Sequence, residues 1–260
     1  MTKRKSRDLF DGDIDVAAIP TTRLRWSATY RLIQTRFPPI DLFERIAPRE
    51  DWDALFALES LVNPRLRDEA GNIALVPVDR RVIGPGASYV MAPFTHISKD
   101  RTTRFTNGNF GAYYAAHTQE TALREVAHHL ARFYAATNDP PLKTDFRILQ
   151  GKIDKTMHDI RGGSFAKYLS PTSYTQSQLL ASALRNADSN GIVYPSVRND
   201  GGECFAAFWP DVVSIPIQAG HIALEWDGKR INRWFDFSAN GWHDLAPVAS
   251  KPKQKARAKP

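Results

Sequence analysis

Four residues whose types are unusual for their surroundings mark where this sequence could do chemistry. Arg31 interrupts an otherwise apolar stretch (YRLI), and Arg104 stands just before a glycine-containing turn at 107–111. Glu125 lies beside the apolar positions of an amphipathic pattern, where a carboxylate is partly removed from water and is costly unless it has a partner or a catalytic role. Ser196 ends a short apolar run, GIVYP, where side chains commonly line a crevice.

Each of these residues also has an interpretation without a function. The two arginines could be a charge at a strand edge and a solvated loop residue, and the serine could be a turn hydroxyl. The glutamate could pair with basic side chains on the surface of the same helix. Its candidate partners there are Arg124, His128, His129 and Arg132. Composition and spacing alone therefore predict only a soluble α+β domain.

The hydrophobic pattern predicts the elements that would position these residues. Helical spacing predicts helices over 51–62, 118–136 and 175–187, and the buried face of the second carries Ala122, Val126, Leu130 and Phe133. Alternating or β-branched stretches predict strands over 26–33, 73–78, 112–116, 146–153, 191–195, 203–209 and 212–217. A hairpin, 222–226 with 229–234, is predicted across Asp227-Gly228. Because strands and helices are mixed without a regular βαβ rhythm, we expect an α+β fold with a mixed sheet.

Charge and cysteine content limit the classes of protein to which this chain can belong. The 260 residues carry a net charge of +7, but basic residues cluster at 3–7 and 251–259, and the rest of the chain is slightly acidic. We therefore expect basic tails at 1–20 and 249–260 around one main domain, 21–248, with an insertion at about 63–98 and no basic nucleic-acid-binding face. Cys204 is the only cysteine, which excludes an internal disulfide and fits the cytoplasm. No apolar run approaches the ~20 residues of a membrane span, and the first residues lead into polar sequence.

Several common catalytic and metal-binding motifs are missing from the sequence. It contains no GxxxxGK[ST], no GxGxxG after a strand, no HExxH and no GxSxG. His128 and His129 are adjacent, and neighbouring helix positions point about 100° apart, so we expect surface or core histidines and no metal site. Cys204 has apolar neighbours and is expected to be a core thiol.

The order of several short segments resembles the RES domain family, which is named for an arginine, a glutamate and a serine. The segments are 30–32 (YRL), 104–105 (RF), 109–116 (NFGAYYAA), 120–126 (ETALREV) and 191–198 (GIVYPSVR). The resemblance covers residues 27–216, and its specificity lies in the order of the segments. Residues 103–106 (TRFT) stand where the family's commonest pattern is GRWN, and the stretch between Arg31 and Arg104 is longer than in compact members.

The resemblance implies an activity, a fold and partners. RES proteins are typically toxins of toxin–antitoxin pairs that degrade NAD⁺, in characterised cases by phosphorolysis to nicotinamide and ADP-ribose 1″-phosphate. Their fold is similar to that of ADP-ribosyltransferase toxins. The expected substrates are therefore NAD⁺ and inorganic phosphate, with no resident cofactor. The expected partner is an Xre-like helix-turn-helix antitoxin, in a homo-oligomer or a complex of both proteins, with no membrane contact.

The resemblance also implies roles for individual residues. These residues are Glu125, Arg31, Arg104, Ser196, Tyr30 and Tyr114. The glutamate is expected to stabilise the positive charge that grows on the ribose as nicotinamide leaves, with Arg31 and Ser196 also in the catalytic set. The two arginines are expected to bind the diphosphate, and one of them to seat the attacking phosphate. The serine would hydrogen-bond the ribose or the amide and lacks a base that would make it a nucleophile.

The roles of the two tyrosines and the identity of the group that accepts ADP-ribose each have alternatives. Tyr30 and Tyr114 offer faces for stacking on nicotinamide or adenine, and core packing is an equal alternative for Tyr30. The same pocket could transfer ADP-ribose to a protein side chain or let water attack. A third hypothesis, from a different class, is a non-enzymatic module that binds nucleic acid through the basic tails, and it ranks last because the body has no basic face.

Overall fold

One mixed β-sheet organises the residues that the computed structural model describes, which are 14–37, 71–100 and 102–245. Within these ranges the sheet has eight strands in the order β1-β2-β5-β4-β3-β6-β7-β8. They are β1 (Thr21–Gln34), β2 (Tyr113–Ala116), β3 (Leu142–Asp159), β4 (Gly191–Pro195), β5 (Glu203–Ala207), β6 (Ile217–Trp226), β7 (Ile231–Asp236) and β8 (Gly241–Asp244). The α-helices are α1 (Ser88–Thr95), α2 (Gln119–Thr137) and α3 (Thr175–Asn186). The expected α+β class with a mixed sheet is confirmed.

The first strand closes part of the sheet on itself, because β1 pairs with both β2 and β3. Its antiparallel pairing with β3 is long and runs from Thr21↔His158 to Gln34↔Phe146. By contrast, β1 and β2 share the single register pair Tyr30↔Ala116. Beyond that pair the two strands carry no ladder, and the side chain of Arg31 bonds across to the Tyr114 carbonyl of β2.

Helix α2 follows β2 directly and lies over the sheet. Its N-terminus is capped by Thr118, whose Oγ1 accepts a hydrogen bond from the N–H of Thr121 at 3.2 Å. Asn138 ends the helix in the left-handed conformation, with φ of 55°. Ala122 and Leu130 are buried as predicted and Val126 is half-buried. The prediction for the fourth residue of that face, Phe133, is wrong.

Phe133 is 54% exposed because its neighbour Tyr134 takes the inward position. Tyr134 is buried, packs against the Trp226 ring at 5.9 Å, and shares a 2.5 Å hydrogen bond with the Thr144 hydroxyl. Successive helix positions point about 100° apart, so burying Tyr134 turns Phe133 toward solvent.

Two of the predicted strands are wrong. In place of a strand at 73–78 the chain makes two 3₁₀ turns, Ile73–Leu75 and Val78–Arg80. The Asn72 side chain accepts from the N–H of Ala74, which favours a turn over an extended conformation. In place of a strand at 212–217, a 3₁₀ turn at Pro210–Val212 leads to an extended segment with one isolated bridge, Ile153↔Val213, before β6 begins.

One α-helix and one strand were not predicted, and one predicted helix cannot be compared with the structure. Helix α1 contains Pro93, which obscures its helical pattern, yet Val90 and Met91 on it are fully buried. It lies within the segment assigned to the insertion, 63–98, and packs into the main core. Strand β8 extends the predicted hairpin by a third strand. The helix predicted over 51–62 lies outside the described residues.

Candidate active site

Glu125 and Ser196 are in direct contact although 71 positions separate them. The Ser196 hydroxyl donates to Glu125 Oε1 at 2.6 Å, and the main-chain N–H groups of Arg198 and Asn199 donate to Ser196 Oγ at 3.1 and 3.0 Å. A hydroxyl has one hydrogen and two lone pairs, so these three bonds use its full capacity. Ser196 therefore orients the carboxylate, and its oxygen has no free lone pair for nucleophilic attack.

A tight turn after β4 places Ser196 opposite Glu125. The turn is closed by the N–H of Ser196, which donates to the Gly202 carbonyl at 2.8 Å. It is attached to the first turn of α2 by Asn199, whose Nδ2 donates to Thr121 Oγ1 at 2.9 Å. A side chain at Gly202 would bring Cβ within 2.6 Å of the same Thr121 oxygen, so only glycine permits this close approach. Since Thr121 precedes Glu125 by one helical turn, these contacts set the distance between the two site residues.

Glu125 lies on a polar side of α2 together with His128, His129 and Arg132, at spacings of three and four residues. Its side chain is 20% exposed, and Oε2 lies 4.0 Å from His129 Nε2. Burial, and then the nearby charge of Arg198, lower the pKa of both imidazoles, for His128 to about 4. Both histidines are therefore neutral near pH 7, and the contact of His129 with Glu125 is not an ion pair there.

Arg104 is buried beside this cluster, with 9% of its surface exposed. One Nη donates to the Ser170 carbonyl at 2.9 Å, and the guanidinium lies 4.9 Å from the centre of the Tyr174 ring. Burial raises the pKa of Tyr194, the charge of Glu125 acts in the same direction, and the charge of Arg104 acts in the opposite one. No carboxylate of the described residues pairs with Arg104.

Tyr114 holds the loop that carries Arg104. Its hydroxyl shares a 2.6 Å hydrogen bond with Thr103 Oγ1 and accepts from the N–H of Phe105 at 3.1 Å. Burial raises the pKa of Tyr114 to about 12, so the hydroxyl keeps its proton at any physiological pH. The observed contacts make Tyr114 a positioning residue for the loop, and its expected stacking on a base remains a prediction.

Arg31 lies in β1, and its side chain contacts β2 and not Glu125. One Nη donates to the Tyr114 carbonyl at 3.0 Å, and the guanidinium lies 4.6 Å from the centre of the Tyr113 ring. Neighbouring residues of a strand point to opposite faces, so the rings of Tyr113 and Tyr114 lie on opposite faces of β2. The guanidinium of Arg31 therefore lies on the Tyr113 face of β2, opposite the side chain of Tyr114. Burial lowers its pKa.

The structure thus joins Glu125 directly to Ser196, and the loop of Arg104, held by Tyr114, packs against Tyr194 through Phe105. Arg31 lies on the other face of β2. Tyr30 is half-buried against the core, in register with Ala116. Sequence reasoning did not name Arg198, which ends the GIVYPSVR segment and whose N–H donates to Ser196 Oγ.

The described residues contain no cluster of three or more His, Cys, Asp or Glu side chains that could hold a metal ion, and none of their helices could span a membrane.

Cys204 lies beneath the site, buried in β5 in register with Tyr194. Burial raises its pKa well above the usual range, so the thiol stays protonated, and the core thiol predicted from the sequence is confirmed. A buried, protonated thiol is a poor nucleophile. Cys204 is therefore not a candidate nucleophile at this site.

The chain is similar to a protein family, to a relative and to a solved structure. A model of the RES domain matches residues 78–227, an interval that contains Arg104, Tyr114, Glu125 and Ser196 and begins after Tyr30 and Arg31. A relative described as uncharacterized protein y4oC, from Sinorhizobium fredii, is 28% identical over 213 residues, which cover 82% of this chain and 88% of that protein. A solved structure, the M. tuberculosis MbcT–MbcA toxin–antitoxin complex, is similar with a TM-score of 0.43 and 10% identity, over 80% of this chain and 87% of that one.

Proposed function

The chain belongs to the RES domain family, and from this premise we propose that its site cleaves the bond between nicotinamide and ribose in NAD⁺. The observation that carries the proposal is the 2.6 Å hydrogen bond from Ser196 to Glu125. It holds one carboxylate oxygen in place, half-buried, with the second oxygen directed away from the serine. A carboxylate fixed in this way stabilises a positively charged sugar more than the substrate before cleavage, which is the requirement for catalysis.

The expected reaction needs no protein nucleophile. The C1″–N bond breaks, and its electron pair neutralises the positively charged ring nitrogen as nicotinamide leaves. The ribose C1″ becomes oxocarbenium-like and accepts an oxygen of inorganic phosphate, which yields ADP-ribose 1″-phosphate. Glu125 faces the developing charge in this scheme, and Ser196 keeps the carboxylate oriented. The full hydrogen bonding of Ser196 Oγ supports its role as a positioning group.

The arginines supply charge for the diphosphate. Arg104 and Arg31 are held by main-chain carbonyls and aromatic rings, and neither pairs with a carboxylate among the described residues. Their positive charges are therefore not compensated by the protein, and a substrate with two negative phosphates would compensate them. Arg104 is the better placed of the two, since Phe105, next to it in the chain, packs against the ring of Tyr194, two residues before Ser196.

The family resemblance extends the proposal to a biological role. We propose that the protein is the toxin of a toxin–antitoxin pair, which acts by depleting NAD⁺ in the cytoplasm and is neutralised by an Xre-like antitoxin. Expression of the chain alone is expected to lower cellular NAD⁺ and arrest growth. Co-expression with the product of a neighbouring helix-turn-helix reading frame is expected to restore both.

The test of the chemistry is the identity of the sugar product. The purified protein is incubated with NAD⁺ with and without inorganic phosphate, and the products are identified by mass. ADP-ribose 1″-phosphate that forms only with phosphate supports phosphorolysis. Free ADP-ribose would show hydrolysis, and a mass increase on a protein would show ADP-ribosyl transfer. If NAD⁺ is not consumed under any of these conditions, the proposed function is wrong.

A further inference from the structure

Three polar atoms beside the proposed site are buried without a hydrogen-bond partner among the described residues. They are Arg198 Nε, His128 Nε2 and the Tyr174 hydroxyl. Buried donors without partners are rare and costly in folded proteins, so a group of them in one place favours the binding of a ligand or an ion there. The three residues come from three separate elements: His128 from α2, Arg198 from the turn after β4, and Tyr174 from the start of α3.

The segment that precedes α3 brings these residues together with Arg104. Arg198 Nη2 donates to the Pro171 carbonyl at 2.7 Å, and Arg104 donates to the neighbouring Ser170 carbonyl at 2.9 Å. The guanidinium of Arg104 also lies against the Tyr174 ring, at 4.9 Å. Two guanidiniums therefore meet at one short stretch of chain, each anchored by a single hydrogen bond to a carbonyl, and no described carboxylate pairs with either.

The electrostatics of His128 agree with this arrangement. Burial lowers its pKa to about 4, and the charges of Arg198, Arg132 and Arg104 act in the same direction. A neutral imidazole in a positively charged environment can donate one N–H without adding a charge of its own.

We propose that Arg198, His128 and Tyr174 form, with Arg104, a subsite for one phosphoryl group. A tetrahedral phosphoryl group presents oxygens in several directions, and Arg198, His128 and Tyr174 belong to three separate elements. The planar guanidinium of Arg198 still has Nε and one Nη free for two of the oxygens. The group could belong to the diphosphate of the dinucleotide or to free inorganic phosphate. The choice of these two ligands rests on the proposed function.

Calorimetric titration of the full chain with two probes tests the subsite and identifies the source of the phosphoryl group. The probes are inorganic phosphate and ADP-ribose, which carries the diphosphate but no bond to cleave. Arg198→Gln is expected to weaken the binding of one or both probes by roughly 10- to 100-fold, because hydrogen bonds to a charged ligand are lost. Weaker phosphate binding alone assigns the subsite to the free anion, and weaker ADP-ribose binding alone assigns it to the diphosphate.

Two further variants keep the test decisive. Tyr174→Phe removes only the hydroxyl and leaves the ring against Arg104, so it tests the subsite if Arg198→Gln proves unstable. It is expected to weaken the same probe by about 3- to 10-fold. Arg230→Gln removes an equivalent charge from the exposed end of the β6–β7 hairpin, where the side chain is 70% exposed, and is expected to leave both affinities unchanged.

Failure of this inference and failure of the proposed function give different results. If the wild-type chain binds neither probe, or if Arg198→Gln and Tyr174→Phe bind both as tightly as Arg230→Gln does, the subsite does not exist. In that case, NAD⁺ consumption in the same samples would still support the proposed function. Probe binding that depends on Arg198 in a protein that does not consume NAD⁺ would support the subsite and contradict the proposed function.

Discussion

Two arginines, one bonded to Glu203 of β5 and one in the candidate site, are held in opposite ways. Arg161 makes hydrogen bonds to both oxygens of Asp159, the shorter at 2.6 Å, and donates to Glu203 Oε1 at 2.7 Å. These carboxylates raise its pKa, although burial acts in the other direction. Arg104, in the candidate site, is more buried. Among the described residues, its guanidinium hydrogen-bonds to a carbonyl and contacts an aromatic ring, and no carboxylate pairs with it.

The difference separates charge used for stability from charge kept for a ligand. Around Arg161 the charges are balanced within the protein, so a ligand would have to displace an existing ion pair. Around Arg104, Arg31 and Arg198 the protein supplies hydrogen bonds but no negative partner among the described residues, which leaves an attraction for anions. Removing a residue from the first group should therefore affect folding, and removing one from the second should affect the reaction.

The largest expected effect is that of removing the carboxylate of the site. Glu125→Gln keeps the shape of the side chain and its ability to accept from Ser196, but it removes the charge that stabilises the sugar. Turnover should fall by roughly 10²- to 10³-fold while NAD⁺ binding is largely retained. The measurement is nicotinamide release at saturating NAD⁺, with binding followed separately by calorimetry.

The matched control is Glu203→Gln, the same substitution in the balanced cluster. It removes one partner of Arg161 and should lower stability while turnover per folded molecule stays at the wild-type level. If Glu125→Gln cleaved NAD⁺ at the wild-type rate, the carboxylate mechanism would be wrong. A comparable loss of turnover in both variants would remove the distinction between the two regions.

The next effect concerns substrate affinity. Arg104→Ala and Arg31→Ala should raise the KM for NAD⁺, or for phosphate, by roughly 10- to 100-fold, because each loses charge-assisted hydrogen bonds to the ligand. Ser196→Ala should raise KM less, since its hydroxyl bonds to the protein. Steady-state kinetics with each substrate varied in turn measures this order. Equal effects of all three variants would contradict the roles assigned to them.

The smallest effect is expected on stability, in the Arg161 cluster. Arg161→Gln should lower the free energy of unfolding by about 1–2 kcal/mol near pH 7, because two half-buried carboxylates lose their partner. Chemical denaturation of the variant and the wild type measures it. NAD⁺ turnover per folded molecule should not change.

The pH dependence of that loss follows from Asp159. Burial raises its pKa, but the hydrogen bonds and charge of Arg161 outweigh burial and hold the pKa below its usual value. A carboxylate with a lowered pKa stabilises the fold at pH values above its unfolded pKa, so the gap between wild type and variant should be complete above about pH 4 and shrink as the pH falls further. A gap that stayed constant down to about pH 2.5 would exclude Asp159 as the partner that matters.

Local patterns predicted most of the elements near the site. The Thr118 cap and the apolar spacing of α2, the apolar run of β4 and the second strand were all predicted close to their observed bounds. The errors arose where a side chain or a proline changed a local preference, as at Asn72 and Pro93. They also arose where packing against the sheet selected one of two neighbouring residues, as with Tyr134 and Phe133.

By itself, the sequence determined the fold class, the helix that carries Glu125, the strand that ends at Ser196 and the segments that resemble the RES domain. These depend on periodicity and on residues a few positions apart. Only the tertiary structure decided that Ser196 bonds to Glu125, that Arg31 lies on the Tyr113 face of β2, and that Arg104 and Arg198 donate to neighbouring carbonyls of the segment before α3. Such contacts join residues far apart in the chain. Their geometry depends on sheet register and on turns such as that at Gly202, where a 2.6 Å approach decides the outcome.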